Sequence, residues 1–155
     1  MNERYLFKAK KTENGEWVEG YYVKGMDMYE KETQVIFKPD TMFYSHGETD
    51  GFIEIDPSTV CQCTGLKDKN EKLIWENDII KKEFYQYPFV HENPKEIIGV
   101  VKYEDCAWNI RYVDSCGKYK YTYPICVELA ESHDAEHYDV IGNAFDNPEL
   151  LESEE

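Results

Sequence analysis

The sequence has 155 residues, enough for one domain, or one domain with a smaller lobe, to enclose a sizeable core. Its formal net charge is −15, and because an anionic field repels phosphate, we expect no direct binding to nucleic acid. Aromatic residues make up 15% of the chain, which excludes disorder throughout and favours strands.

The acidic charge is concentrated in residues 128–155, which hold ten Asp and Glu side chains and no Lys or Arg. We interpret this acidic segment as a solubilising tail. No apolar run approaches the ~18 residues that a membrane span needs, and residues 1–11 lack the apolar core of a secretion signal. The five Cys residues are therefore expected to be reduced thiols, and the protein is predicted to be cytoplasmic, without a membrane partner.

Short runs of alternating or β-branched residues follow one another along the chain, separated by polar turns. The runs at residues 5–9 and 16–23 flank Asn14-Gly15, a dipeptide typical of a hairpin turn. Further strands are predicted at residues 35–38, 52–55, 59–64, 73–75, 79–84, 96–103, 108–113, 119–123 and 139–141. A short helix over 124–131 and a helical turn over 149–152 are predicted near the C-terminus. Many short strands with little helical periodicity predict an all-β fold.

Two neighbouring segments of the chain follow a known pattern. The sequence CTGLKDKN at residues 63–70 and IWENDII at residues 74–80 resemble YTGLKDKNGKEIYEGDIV, the signature of the YopX family of phages and prophages. Residues 99–105 resemble its second block, and residues 140–143 with 147–151 resemble its closing VIGNIYENPELL. A weaker match to the family's opening block is carried by Phe7-Lys8-Ala9, Trp17 and Gly20.

The sequence departs from this pattern at Glu71 and Asn77, where the family usually has Gly. Asn tolerates a left-handed backbone, whereas Glu is less comfortable in one. The resemblance implies an N-terminal antiparallel β lobe over residues 1–58 and an SH3-like barrel region over residues 59–155, which includes the acidic segment. It also implies a phage or prophage protein in a bacterial cytoplasm, and it implies no activity.

The polar clusters of the sequence lack the spacing that site chemistry needs. Cys61-Gln62-Cys63 supplies two thiols where zinc needs four ligands, and residues 133–137 do not have the HExxH arrangement of a zinc protease. The acidic turns at residues 68–70 and 76–78 lack the regular oxygen ligands of a calcium loop. We therefore predict no catalytic residues, no metal and no cofactor, and a protein that is not an enzyme.

Aromatic side chains on the predicted strands are the remaining candidates for a site. If they are exposed, they form a groove for an extended peptide, as in SH3 domains; if they are buried, they belong to the core. The sequence leaves both alternatives open. The candidate protein-binding surface consists of Trp75, Tyr103, Trp108, Tyr112 and Tyr121.

Three functions follow as hypotheses. The leading one is a non-enzymatic module that binds a protein of the host or the phage, and self-association into a homo-oligomer is a related expectation. The second is a nucleic-acid mimic, in which the acidic segment occupies the basic groove of a host DNA-binding protein. The third is a small metal-dependent enzyme that uses carboxylates.

Overall fold

The predicted all-β fold is confirmed. The computed structural model describes residues 3–27, 29–38, 51–84, 95–113, 119–125 and 138–152, and these contain eleven strands arranged in antiparallel sheets. The strands are β1 (Phe7–Lys10), β2 (Trp17–Met26), β3 (Glu32–Phe37), β4 (Phe52–Glu54), β5 (Cys61–Lys67), β6 (Leu73–Trp75), β7 (Asp78–Phe84), β8 (Lys95–Glu104), β9 (Ala107–Val113), β10 (Tyr119–Pro124) and β11 (Tyr138–Asn143).

Short 3-10 helical turns complete the described structure. They lie at Glu3–Tyr5, Pro57–Thr59 and Pro148–Leu151, and the last of these occupies the predicted C-terminal helical turn. The short helix predicted over residues 124–131 falls largely outside the described residues.

The chain divides into two compact units, Met1–Cys63 and Thr64–Glu155, and β5 runs across the division. In the first unit the strand order is β4-β3-β2-β1-β5. The predicted hairpin is formed by β1 and β2, in a register that pairs Phe7 with Gly20 and Lys10 with Trp17. The core of this unit contains Ala9, Val18, Ile36 and Ile55, with partly buried Phe7, Tyr22, Ile53 and Val60 packed against it.

In the second unit, β6 pairs with the second half of β5, and a separate five-stranded sheet has the order β10-β9-β8-β7-β11. One face of this sheet carries alternate residues of each strand into a common core. The core contains Ile74, Ile80, Val101, Ile110, Tyr112, Ile125, Tyr138 and Val140.

A buried carboxylate joins the β5–β6 turn to the edge strand β11. Asp68 is 3% exposed; its Oδ1 accepts hydrogen bonds from the backbone N–H groups of Asn70 (2.8 Å) and Lys72 (2.9 Å), and its Oδ2 accepts one from Val140 (3.1 Å). Burial raises the pKa of this carboxyl, but the three backbone N–H donors and the Asn70 amide outweigh it, so the pKa lies below its ordinary value.

The same turn is bonded to β11 at two further places. The Lys69 backbone N–H donates to the Tyr138 carbonyl at 3.0 Å, while the Asp139 carboxylate is bound by Lys69 Nζ at 2.9 Å and by Asn70 Nδ2 at 3.0 Å. Backbone groups on the outer edge of β11 are therefore hydrogen-bonded to a turn rather than to another strand.

The SH3-like barrel expected for residues 59–155 is not confirmed. Closure of the five-stranded sheet would require β10 to pair with β11, and no such pairing is found in the described part of the chain. The physical reason is that the Val140 N–H and the Tyr138 carbonyl on the outer side of β11 are already bonded to Asp68 and Lys69. The described sheet is open.

The two positions that depart from the family pattern both have a left-handed backbone. Glu71 has φ 62° and Asn77 has φ 65°. Glu71 lies in the β5–β6 turn, and Asn77 lies in the turn before β7, where the buried Asp78 Oδ2 accepts a hydrogen bond from the Trp75 N–H at 2.9 Å. Asn77 thus adopts the left-handed backbone that Asn tolerates, and Glu71 adopts one that is less favourable for Glu.

Replacing the buried carboxylate should destabilise the fold in a pH-dependent way. We expect Asp68→Asn to lower the free energy of unfolding by about 2–3 kcal/mol at neutral pH, because an amide cannot accept all three N–H groups. Since the folded-state pKa is lowered, this stability is present above the unfolded pKa of about 4 and is lost as pH falls through the folded pKa. Urea unfolding between about pH 7 and pH 2 measures the difference.

The matched control is Asp139→Asn, which removes a partly exposed carboxylate of β11 that is bound by the same turn and should cost less than about 1 kcal/mol. An Asp68→Asn deficit that stays constant from neutral to acid pH would contradict the assignment.

A glycine at the strained turn position should stabilise the protein. We expect Glu71→Gly to raise the free energy of unfolding by about 0.5–1 kcal/mol, because the left-handed strain of a Cβ-bearing residue exceeds the entropy that glycine loses. The control is Glu19→Gly on the exposed side of β2, where the same exchange should destabilise by a similar amount. Thermal unfolding of both variants tests this, and a loss of stability in Glu71→Gly would refute it.

Candidate binding surface

The strands β2, β3 and β4 carry consecutive apolar residues instead of a strict alternation. The runs are Tyr21-Tyr22-Val23 in β2, Val35-Ile36-Phe37 in β3 and Phe52-Ile53 in β4. Successive side chains of a strand point to opposite faces, so each run places apolar groups on both sides of the sheet. Such runs are typical of strands covered on both faces.

The inner face packs into the core of the first unit. Ile36 is fully buried, and it is paired with Tyr22 on one side and Ile53 on the other. The Tyr22 hydroxyl donates a hydrogen bond to Gln34 Oε1 at 2.6 Å. The inner face therefore belongs to the core of the first unit.

The opposite face forms a cross-strand apolar surface, here called the outer patch: Tyr21, Val23, Val35, Phe37 and Phe52. Strand register places Phe37 between Tyr21 and Phe52 in one row, and Val23 opposite Val35 in the next. The rings of Phe37 and Phe52 are in tilted contact, with centroids 5.2 Å apart. Val23 is 41% exposed and Phe52 is 52% exposed, so apolar side chains of this sheet face solvent.

Two lysines at the margins of the first unit's sheet are held in ion pairs. Lys24 contacts Glu32 at 3.0 Å at one end of the β2–β3 ladder, and Lys11 contacts Glu16 at 2.9 Å beyond β1. The hydrogen bond from Lys24 lowers the pKa of Glu32, and those from Lys11 and then Asn14 lower the pKa of Glu16.

A cavity of about 430 Å³ lies beside the outer patch at the edge of β4. It is lined by Lys11, Thr12 and Glu13 from the loop after β1 and by Phe52, Ile53 and Glu54 from β4. The two segments are joined at one end by a bridge between Lys11 and Ile55, and the Thr12 N–H donates to the Glu54 carbonyl at 3.1 Å. Phe52 is therefore shared by the outer patch and the cavity.

The structure separates the five aromatic residues singled out in the sequence. Trp75 and Tyr112 are 4% and 1% exposed and are core residues. Tyr121 pairs with Tyr112 in the β9–β10 ladder, and its side chain lies outside the described residues. Tyr103 is 52% exposed and Trp108 is partly buried against the core of the second unit.

Tyr103 and Trp108 are neighbours at the end of the β8–β9 hairpin. They are paired across the strands, and their rings make an edge contact with centroids 5.0 Å apart. The hairpin turns through Asp105 and Cys106, whose φ values of 51° and 61° are those of a type I′ turn. These two rings form a smaller exposed aromatic feature than the outer patch.

The outer patch was not predicted from the sequence, because all five aromatic candidates lie in the predicted barrel region and the outer patch lies in the N-terminal lobe. The signal was present in the consecutive apolar residues of β2 and β3, which predict burial or contact on both faces of a sheet. A strand with one solvated face would have shown a polar residue at every second position.

The polar clusters considered in the sequence have structural partners. The acidic residues of the two turns, Asp68 and Asp78, accept backbone hydrogen bonds, and Cys61 and Cys63 are buried in β5. Residues 133–137 lie outside the described residues. In the described ranges, no group of three or more His, Cys, Asp or Glu side chains is placed to hold a metal ion.

Within the same ranges, no helix has the length and hydropathy required to cross a membrane.

Comparison with known proteins relates the chain to one family by sequence and to a solved structure by fold. The sequence model of the YopX family, described as YopX protein, matches residues 6–152. The fold is similar to the crystal structure of protein yopX from Bacillus subtilis, with a TM-score of 0.50, 15% sequence identity and coverage of 100% of both chains. No curated protein matches the sequence. The family match spans almost the whole chain, and the structural match shows a common fold.

Packing of the sheet that carries the outer patch depends on a glycine in β2. A Cβ at Gly20 would lie 2.3 Å from the Phe37 carbonyl oxygen and 2.8 Å from Ile36 Cγ2. We expect Gly20→Ala to lower the free energy of unfolding by about 2–3 kcal/mol, because the β3 backbone has to move. Gly25→Ala in the same strand meets nothing within 4 Å and should change stability by less than about 1 kcal/mol. Denaturant unfolding of the two variants tests this, and equal effects would contradict the packing described.

Proposed function

The chain belongs to the YopX family, and we propose that it is a non-enzymatic module that binds another protein through the outer patch. The observation that carries the proposal is an apolar sheet face in contact with solvent, with Phe52 52% exposed and Val23 41% exposed. Contiguous exposed apolar patches mark interaction sites more often than scattered apolar residues do.

The shape of the outer patch suits a protein surface. Three neighbouring strands present two rows of side chains, and the row Tyr21–Phe37–Phe52 is aromatic. Aromatic groups dominate the binding energy of protein interfaces when they are desolvated at the centre of the contact. Strands hold these rings in fixed positions, so little conformational entropy is lost when a partner docks.

Charge indicates the chemistry of the partner. With a net charge of −15, the protein attracts a partner that carries basic residues and repels an acidic one. Self-association has to overcome this repulsion, so a different protein is the proposed partner and a homo-oligomer is an alternative outcome of the test. A bacterial cytoplasm and a phage or prophage origin are part of the same proposal, on the strength of the family pattern.

The alternative functions receive less support from the described residues. Three carboxylates of the acidic segment are engaged within the protein: Asp139 with Lys69, Asp146 with Asn143, and Glu149 with Asn147. A nucleic-acid mimic needs carboxylates that are available to a basic groove. That hypothesis and the metal-dependent enzyme stay predictions.

The proposal is tested by removing the apolar character of the outer patch. We expect the double variant Val23→Thr/Phe52→Ser to capture its partner from a bacterial lysate at least about tenfold less well than the unchanged protein, since the lost burial contributes about 2 kcal/mol. The partner band is identified by mass spectrometry, and light scattering on the purified protein shows whether the partner is a second copy.

The control variant is Tyr103→Ser, which removes an equally exposed aromatic ring from the second unit and should leave capture unchanged. Circular dichroism and melting temperature verify that both variants fold. Full capture by the double variant would overturn the proposal, and loss of capture in Tyr103→Ser alone would move the binding surface to the β8–β9 hairpin.

A further inference from the structure

The outer patch is a sheet face whose dimensions limit what can cover it. Neighbouring strands lie about 5 Å apart and successive residues on one face about 7 Å apart, so its two rows extend about 10 Å across β2–β4 and about 7 Å along them. An α-helix is about 10–12 Å wide, and its residues i, i+3, i+4 and i+7 form one side about 10 Å long. Two turns of an amphipathic helix therefore match the outer patch in width and length.

The edge of the sheet beside the outer patch is already in use. The Thr12 N–H donates to the Glu54 carbonyl at 3.1 Å, next to the bridge between Lys11 and Ile55. The contact groups that this sheet offers are therefore side chains of its outer face, such as Phe52, rather than backbone groups of β4. A helix covers such side chains without backbone hydrogen bonds to the sheet.

The margin of the outer patch at β4 is acidic. Glu54 lies on the same face of β4 as Phe52, and Glu13 lines the cavity that Phe52 shares. Both carboxylates are exposed, and within the described part of the chain neither is ion-paired, since the neighbouring Lys11 is bound to Glu16 at 2.9 Å. This margin attracts basic groups of a partner.

The opposite margin, at β1, carries cations. Lys8 and Lys10 lie on the outer face, because Ala9 between them belongs to the core. Their Nζ atoms are 5.2 Å and 5.5 Å from the centroid of the Trp17 ring. Charge on the outer face thus differs in sign between β1 and β4, and a partner with basic groups along one side only is complementary to it.

We propose that the outer patch binds an amphipathic α-helix of the partner protein. The apolar stripe of the helix covers the aromatic row Tyr21–Phe37–Phe52, and a line of Lys or Arg residues runs along the side of the helix that faces β4. The apolar stripe contributes most of the affinity, and the basic side, next to Glu13 and Glu54, determines the orientation of the helix. The inference rests on the proposed function and adds the structural and chemical class of the partner's docking element.

The probe is a capped fourteen-residue peptide with leucines at its third, sixth, seventh and tenth positions. Lysines at its second, ninth and thirteenth positions lie along one side of the leucine stripe, and alanines fill the other positions. In titrations of the full chain up to about 1 mM peptide, we expect the largest amide NMR shifts in β2, β3 and β4. Helical circular dichroism should increase on binding, since so short a helix is marginal in water.

Control peptides separate the stripe, the charge and the helix. Exchange of the three lysines for glutamates should weaken binding at least about fivefold. A peptide of unchanged composition, in which the leucines are spread around the helix, should bind at least about tenfold less tightly. Proline at the eighth position, which blocks the helix, should have an effect of the same size.

Variants of the protein test the acidic margin. Glu13→Gln/Glu54→Gln should bind the lysine peptide about three- to tenfold less tightly, because two carboxylates beside its basic side are neutralised. The matched control, Glu149→Gln/Glu152→Gln, removes the same charge from exposed positions of the second unit and should change the affinity by less than about twofold.

Each outcome bears on a separate part of the inference. Binding of the proline peptide as tight as that of the helical one would overturn the helix, and equal losses in the two glutamine variants would overturn its orientation. Absence of binding by the lysine peptide, or shifts confined to other strands, would overturn the inference as a whole.

The proposed function fails in a different way. If the lysine peptide does not bind but Val23→Thr/Phe52→Ser still loses the partner, the outer patch remains the binding surface and the helix is wrong. If that double variant captures the partner fully, the proposed function itself is wrong.

Discussion

Burial of the Asp68 carboxylate is the constraint on which the second unit depends. Three backbone N–H groups converge on it, and one of them belongs to Val140, 72 positions along the chain. A carboxylate removed from water at this point is stable only if every one of these donors stays in place. The single group therefore fixes the β5–β6 turn, binds the outer edge of β11 and leaves the five-stranded sheet open.

The first unit is stabilised differently, by an apolar core on one face of its sheet rather than by a buried charge. Ile36 and its inner-face neighbours form the core, while Phe37 and Phe52 turn the other face of the same strands toward solvent. The protein retains apolar groups at positions where polar ones would be compatible with the fold. A function in binding gives a physical reason for this, because a stable sheet already holds the contact groups in position.

Much of the fold is predictable from the sequence because it depends on local chemistry. Period-two alternation locates the strands, Asn14-Gly15 locates the first hairpin, and Asn77 takes the left-handed turn expected of it. Closure of a barrel depends on contacts between residues that are distant in the sequence. Here the edge strand β11 donates a backbone hydrogen bond to Asp68 instead of pairing with another strand. The sequence pattern contains no direct sign of that bond.

The candidate binding surface was predictable only in part, since alternation tells which residues share a face but not what covers it. Trp108 and Tyr112 do share a face of β9 and each lies one residue from an end of the strand, yet Tyr112 is buried, whereas Trp108 is partly buried beside exposed Tyr103. The side chains that pack over each position decide its exposure. The consecutive apolar residues around Phe37 were the stronger indication, because they imply a second apolar face.

The central claim is that the protein binds its partner through the face of β2–β4 that carries Phe52. The most direct measurement places a photoactivatable phenylalanine analogue at position 52 in one sample and at position 103 in another, followed by irradiation in a bacterial lysate. The account predicts a specific protein cross-link from position 52 and none from position 103. A cross-link from position 103 alone would contradict it.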